Sequence, residues 1–116
     1  AIPTESARKH VSGQAVFIDD ILLNERALSG RVVYSPFARA RIKAIDRSAA
    51  QETQGVYAVL TAKDIPGSNN LGPIQKDEPC LAEGEVRFIG QAVCLIAAKN
   101  EATCRLAEER LKITYE

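Results

Sequence analysis

The sequence predicts a single α+β domain, a small mixed sheet with a few short helices packed on it. Its 116 residues, 46% apolar and 26% charged, suffice for one domain with a buried core and match ordinary globular composition. Segments rich in β-branched residues, typical of strands, recur along the chain. In the C-terminal third the predicted order is strand, strand, helix, strand, so a helix lies between strands.

The N-terminal half combines extended segments with one short helix. Ser48 is expected to cap this helix with Gln51 closing a capping box, and Gly55 to end it in the left-handed conformation. Gly30 opens and Pro36 closes one strand, because proline cannot donate to a strand ladder. The predicted extended segments are residues 14–20, 31–35, 41–45 and 56–60.

A long irregular segment follows the fourth of these. Thr61 and Asp64 have capping-box spacing, but Pro66 prevents a helix from extending there. Residues 66–84 are rich in proline, glycine and asparagine, and a loop of this length is usually functional, an interface element or mobile. We expect it to be among the most mobile parts of the domain when the domain is separated from its neighbours.

Two further strands are predicted in the C-terminal third. Val86 and Phe88 alternate with charged residues, as in a half-buried strand. Gly90-Gln91 is interpreted as a tight hairpin, with a backbone contact to a neighbouring domain as the alternative. Residues 93–98 are continuously apolar, which predicts a strand covered on both faces.

A helix and a final strand complete the chain. Asn100 is placed to cap a helix over residues 101–110, and residues 111–116 alternate apolar and polar side chains as a strand does. The predicted inner face of the helix consists of Ala102, Thr103, Leu106 and Ala107.

Charge and hydropathy exclude several classes of partner. The formal net charge is +0, without the basic excess that nucleic-acid or anionic-membrane binding needs. The longest apolar run is too short to cross a bilayer, and the polar first ten residues lack a signal-peptide core. Cys80, Cys94 and Cys104 fit no C-x-x-C pattern and are interpreted as reduced thiols, which predicts a cytoplasmic protein.

Candidate catalytic groups are few. The single histidine, His10, is expected to be solvated in a polar arm, and the adjacent Asp19 and Asp20 point to opposite faces of an extended chain, which favours a turn or capping role. Arg39 and Arg41 are placed either to bind an anion or to lie on an exposed strand edge, where their charges disfavour pairing with another chain. Without a nucleophile beside a base, the sequence predicts no catalytic, cofactor-binding or metal-binding residue here.

Two absences suggest a segment of a longer chain. The sequence contains no methionine, and its final predicted strand reaches the last residue. We expect residues 1–12 to form an N-terminal arm and residues 13–116 the domain. Separated from its neighbours, such a domain is expected to expose an apolar patch through which it can self-associate.

An ordered series of short runs carries a family resemblance. The runs are GRVVYSPFARARI (30–42), IDRSAA (45–50), GVYAVLTAKDIPG (55–67), NLGPI (70–74), DEP (77–79), GEVRFIGQ (84–91) and ITYE (113–116). Each is weak alone. At these separations the ordered set resembles the α/β-hammerhead domain of the molybdenum hydroxylases, the xanthine dehydrogenase and aldehyde oxidase family.

The resemblance implies a packing domain at the start of the molybdenum-binding subunit of a larger oxidoreductase. Such enzymes hydroxylate purines such as xanthine and hypoxanthine, or aldehydes, and pass electrons from molybdopterin through 2Fe–2S clusters, usually to FAD. The implied partners are the remaining domains of that subunit and the Fe–S and FAD subunits or domains. The family's cofactor-binding residues and catalytic glutamate lie in later domains, and none of them maps onto this chain.

Some positions depart from the family pattern. Phe37 and Arg39 stand where many relatives carry histidine, and Ala92 where many carry proline. Within the family, residues 70–74 and 77–79 look most similar to the large subunits of bacterial xanthine dehydrogenases. Two other hypotheses stay open: a free-standing interaction domain using the 66–84 loop and a sheet edge, and a thiol redox module, which would lack the usual C-x-x-C.

Overall fold

The structure, a computed structural model, describes residues 4, 6–21 and 27–116. The described residues form helices α1 (Ala7–Val11), α2 (Ser48–Gln51) and α3 (Glu101–Arg110), with 3-10 turns at Ile18–Asp20 and Ala62–Asp64. The strands are β1 (Ser29–Tyr34), β2 (Ala40–Asp46), β3 (Val56–Leu60), β4 (Glu85–Val86), β5 (Ala92–Ala98) and β6 (Lys112–Tyr115). The predicted α+β class is confirmed.

The strands divide into two antiparallel sheets of three strands each. In sheet 1 the apolar strand β5 lies between β1 and β3, and in sheet 2 β2 lies between β4 and β6. The interpretation of Gly90-Gln91 as a tight hairpin is wrong, because β4 and β5 belong to different sheets. Gly90 does make a turn, with φ of 86°, but that turn passes the chain from sheet 2 to sheet 1.

The core lies between sheet 1 and the helices and continues to the junction of the two sheets. Helix α3 packs on β1, β5 and β3, and α2 packs on α3 and β3. Arg31 of β1 pairs with Glu108 of α3 at the edge of this layer, Nε to Oε2, at 2.5 Å. The buried cluster consists of Val33, Ala50, Val59, Ala82, Val86, Val93, Cys94, Ile96, Ala98, Cys104 and Ala107.

Helix α3 begins as predicted but turns a different face inward. The Asn100 side chain accepts a hydrogen bond from the Thr103 backbone N–H at 2.9 Å, so the predicted cap is confirmed. The buried residues are Thr103, Cys104 and Ala107, whereas Ala102 and Leu106 are exposed. The Cys104 thiol reaches the backbone oxygen of Ser29 at 3.4 Å, which shows that this side of the helix faces β1.

The turn into α2 uses Asp46 instead of the predicted Ser48 capping box. The Asp46 carboxylate accepts from both the backbone N–H and the hydroxyl of Ser48, at 3.1 and 2.5 Å. Gly55 has φ of 91°, as predicted for a left-handed residue after the helix. The side chain of Gln51 contributes no such bond because Ser48 is already the first helical residue and the capping position lies before it.

Arg47 connects the end of β2 to the end of β3. Its Nη1 donates to the backbone oxygen of Val59 at 2.8 Å and to the Asp64 carboxylate at 2.5 Å. The same carboxylate oxygen accepts from the Thr61 N–H and hydroxyl, both at 2.8 Å, so the predicted Thr61–Asp64 capping box is confirmed. One carboxylate therefore links the two sheets.

Three strand predictions need correction. The extended segment predicted over residues 14–20 forms no strand, and its last three residues, Ile18–Asp20, form a 3-10 turn. The strand predicted through Phe88 ends at Val86, because the Arg87 N–H donates to the Gln91 side chain at 2.7 Å instead of to a neighbouring strand. A register shift between Ile42 and Ala44 leaves Ala44 exposed, although both were expected on one face.

The 66–84 loop contains no helix or strand, as predicted, yet both of its ends are anchored. The Asn69 side chain makes two hydrogen bonds with the backbone of Leu81, at 2.8 and 3.0 Å. Leu81 and Ala82 are buried. The predicted mobility of this loop, which stays a prediction for hydrogen exchange to test, therefore applies to its middle part.

Candidate functional site

The described residues bring together no set of groups suited to a metal. No cluster of three or more His, Cys, Asp or Glu side chains that could hold an ion occurs among them. Iron–sulfur clusters take four protein ligands, mainly cysteine thiolates, and this chain has three cysteines in all. Cys80 is exposed, whereas Cys94 and Cys104 are buried. With two of its three thiols buried, the chain lacks the ligand set of the 2Fe–2S cluster that the resemblance implies for the whole enzyme.

The buried thiols are poorly suited to redox chemistry. Burial raises the pKa of Cys94 to about 11, so the reactive thiolate is disfavoured near neutral pH. Cys104 is buried against the β1 backbone. These environments argue against the thiol redox module and favour packing roles for both residues.

The predicted polar candidates His10 and Asp20 both lie near Phe17. His10 is exposed in α1, and its ring centroid lies 5.7 Å from that of Phe17. Asp20 accepts a hydrogen bond from the Phe17 backbone N–H at 2.9 Å, which is the capping role expected from the sequence. The Asp19 side chain lies outside the described residues.

Arg39 and Arg41 border an open groove with two carboxylates. The groove has a volume of about 450 Å³ and is also lined by Glu85 and Glu116. Arg39 approaches Glu85 at 3.8 Å, and the Arg41 backbone exchanges two hydrogen bonds with Glu116. Glu85 pairs with Arg39, and the Glu116 carboxylate pairs with Lys43, so the groove carries negative as well as positive charge, which argues against an anion site. The predicted strand-edge role is wrong for Arg41, because β2 is the central strand of sheet 2.

The two family runs around Ser35 and Gln91 meet at one end of the molecule. The Ser35 N–H donates to the Gln91 carbonyl at 2.9 Å, and the Gly90 N–H donates to the Ser35 carbonyl at 2.8 Å. Ser35 and Gln91 are 2% and 5% exposed. This contact was not foreseen, because the two runs are far apart in sequence and belong to different strands.

Around this buried contact lies an exposed apolar patch, which we call the tip. Phe37 packs edge-on against Tyr115 with ring centroids 5.0 Å apart. Burial raises the pKa of Tyr115, and the nearby Ser35 side chain acts in the opposite direction. The exposed side chains of the tip are Tyr34, Phe37, Phe88 and Ile89.

A second apolar surface is the face of sheet 1 that points away from α3. Residues directly opposite each other in the ladder share a face, which gives two cross-strand rows. This outer face consists of the rows Val32–Leu95–Leu60 and Gly30–Ala97–Ala58. Its side chains are half-buried to exposed, while Cys94, Ile96 and Ala98 of β5 on the inner face are buried. The prediction that β5 is covered on both faces is therefore wrong for Leu95 and Ala97 in the described part of the chain.

Comparison with known proteins identifies the fold. The family model described as aldehyde oxidase and xanthine dehydrogenase, a/b hammerhead domain, matches residues 12–116. Aldehyde oxidase 2 of Mus musculus is 40% identical over 111 residues, covering 96% of this chain and 8% of that protein. The aldehyde oxidoreductase structure from Desulfovibrio desulfuricans superposes with a TM-score of 0.81 and 33% identity, over 99% of this chain and 14% of that one. The Cu,Mo-CO dehydrogenase structure superposes with a TM-score of 0.82 and 32% identity, over 99% of this chain and 15% of that one.

These matches define a domain found within large molybdenum-containing oxidoreductases. The chain belongs to the α/β-hammerhead domain family of aldehyde oxidases and xanthine dehydrogenases, which confirms the resemblance carried by its sequence runs. It spans 8% of the length of the curated relative described above. None of the helices in the described ranges is long and apolar enough to cross a membrane.

Proposed function

We propose that this chain is the hammerhead domain of a molybdenum hydroxylase polypeptide and that it serves there as a packing domain without catalytic residues. The observation that carries the proposal is the family match over residues 12–116. Two features of the molecule support the packing role. The described side chains do not form a metal-binding cluster, and apolar residues stay exposed at the tip and on the outer face of sheet 1.

The complete enzyme, in this proposal, oxidises a purine such as xanthine or hypoxanthine, or an aldehyde, in the cytoplasm. Its molybdopterin, 2Fe–2S and FAD groups are held by other domains or subunits, which are the partners of this one. Residues 13–116 act as the domain and residues 1–12 as its arm. No step of the reaction is assigned to residues of this chain, because none of the family's cofactor-binding or catalytic residues maps onto it.

The test compares the complete enzyme with the 116-residue chain. The complete enzyme is expected to contain molybdenum, measured by elemental analysis, and to reduce an electron acceptor when given xanthine or an aldehyde. The chain alone is expected to bind no molybdopterin and to oxidise neither substrate. Turnover by the chain alone would contradict the packing role, and the preferred substrate of the complete enzyme decides between purine and aldehyde.

The second candidate is a free-standing interaction domain. The tip favours it, because an exposed patch of three aromatic residues and one isoleucine is typical of a protein contact. It predicts that the reading frame stops directly after Glu116. Continuation of the frame into further domains would exclude it.

A further inference from the structure

We draw no further inference here: the strongest candidate, the groove of about 480 Å³ between β2 and residues 61–63, carries nothing because its cations Lys43 and Arg47 are already paired with carboxylates and nothing in the structure shows what covers it.

Discussion

At the scale of single residues, the Asp64 carboxylate has more partners than the sequence predicted. The sequence predicted only its bond within a local turn. Asp64 accepts from Thr61, as the capping-box spacing predicted, and also from Arg47, which is 17 residues away. Arg47 holds the pKa of Asp64 at about 2, below its ordinary value of 3.8, with the Thr61 bonds contributing in the same direction. The spacing of Thr61 and Asp64 in the sequence predicted their bond, but the ion pair with Arg47 depends on how β2 and β3 pack.

The first prediction concerns acid stability. A carboxylate with a lowered pKa in the folded state stabilises the fold above its ordinary pKa, and this contribution is lost as the pH falls from about 4 through about 2. We expect Asp64→Asn to lower the melting temperature at pH 7 and the difference from the parent to shrink toward pH 2. Asp77→Asn, in the exposed part of the loop, serves as the control. A constant difference across this pH range would contradict the prediction.

At the scale of elements, local signals predicted the cap of α3 but neither the cap of α2 nor the buried face of α3. Asn100 caps α3 as expected. Gly55 has the predicted left-handed conformation, but α2 already ends at Gln51 with Glu52 as its C-cap, so Gly55 does not end the helix. Two of the four residues predicted for the inner face of α3 are buried, Thr103 and Ala107, together with Cys104, whereas the other two are exposed. A cap is a bond within four residues, whereas the buried face of a helix depends on the sheet beneath it.

The second prediction tests the cap of α3. Asn100→Ala removes the acceptor of the Thr103 N–H and is expected to destabilise the domain by about 1 kcal/mol. Asn100→Asp keeps an acceptor at the same position and should retain most of the stability. Denaturant unfolding of the three proteins provides the measurement. Equal losses in both variants would show that the side-chain bond is not the cause.

At the scale of the whole molecule, the two sheets share one core. Val86 of sheet 2 and Val93 of sheet 1 are fully buried in the same cluster as Ile96. The Arg47–Asp64 pair and the Ser35–Gln91 contact add links between separate parts of the chain. A shared core predicts that the sheets unfold together in one transition.

The third prediction follows from that shared core. Ile96→Ala is expected to cost about 2–5 kcal/mol because it leaves a cavity between sheet 1 and α3. Val86→Ala, in the other sheet, removes fewer atoms and should shift the same single transition by a smaller amount. Ile74→Ala, at a residue that is 94% exposed, is the control and should change little. Two separable transitions in calorimetry would contradict the shared core.

The sequence by itself determined the class, the family, most strand positions and the cap of α3, because these depend on neighbouring residues and on an ordered set of runs. Only the tertiary structure decided that the strands form two sheets, that Ser35 meets Gln91, and that one face of β5 stays partly exposed. An apolar strand shows that both of its faces can be buried, but not which other segment buries them. That information lies in long-range packing, which the local pattern of β5 does not encode.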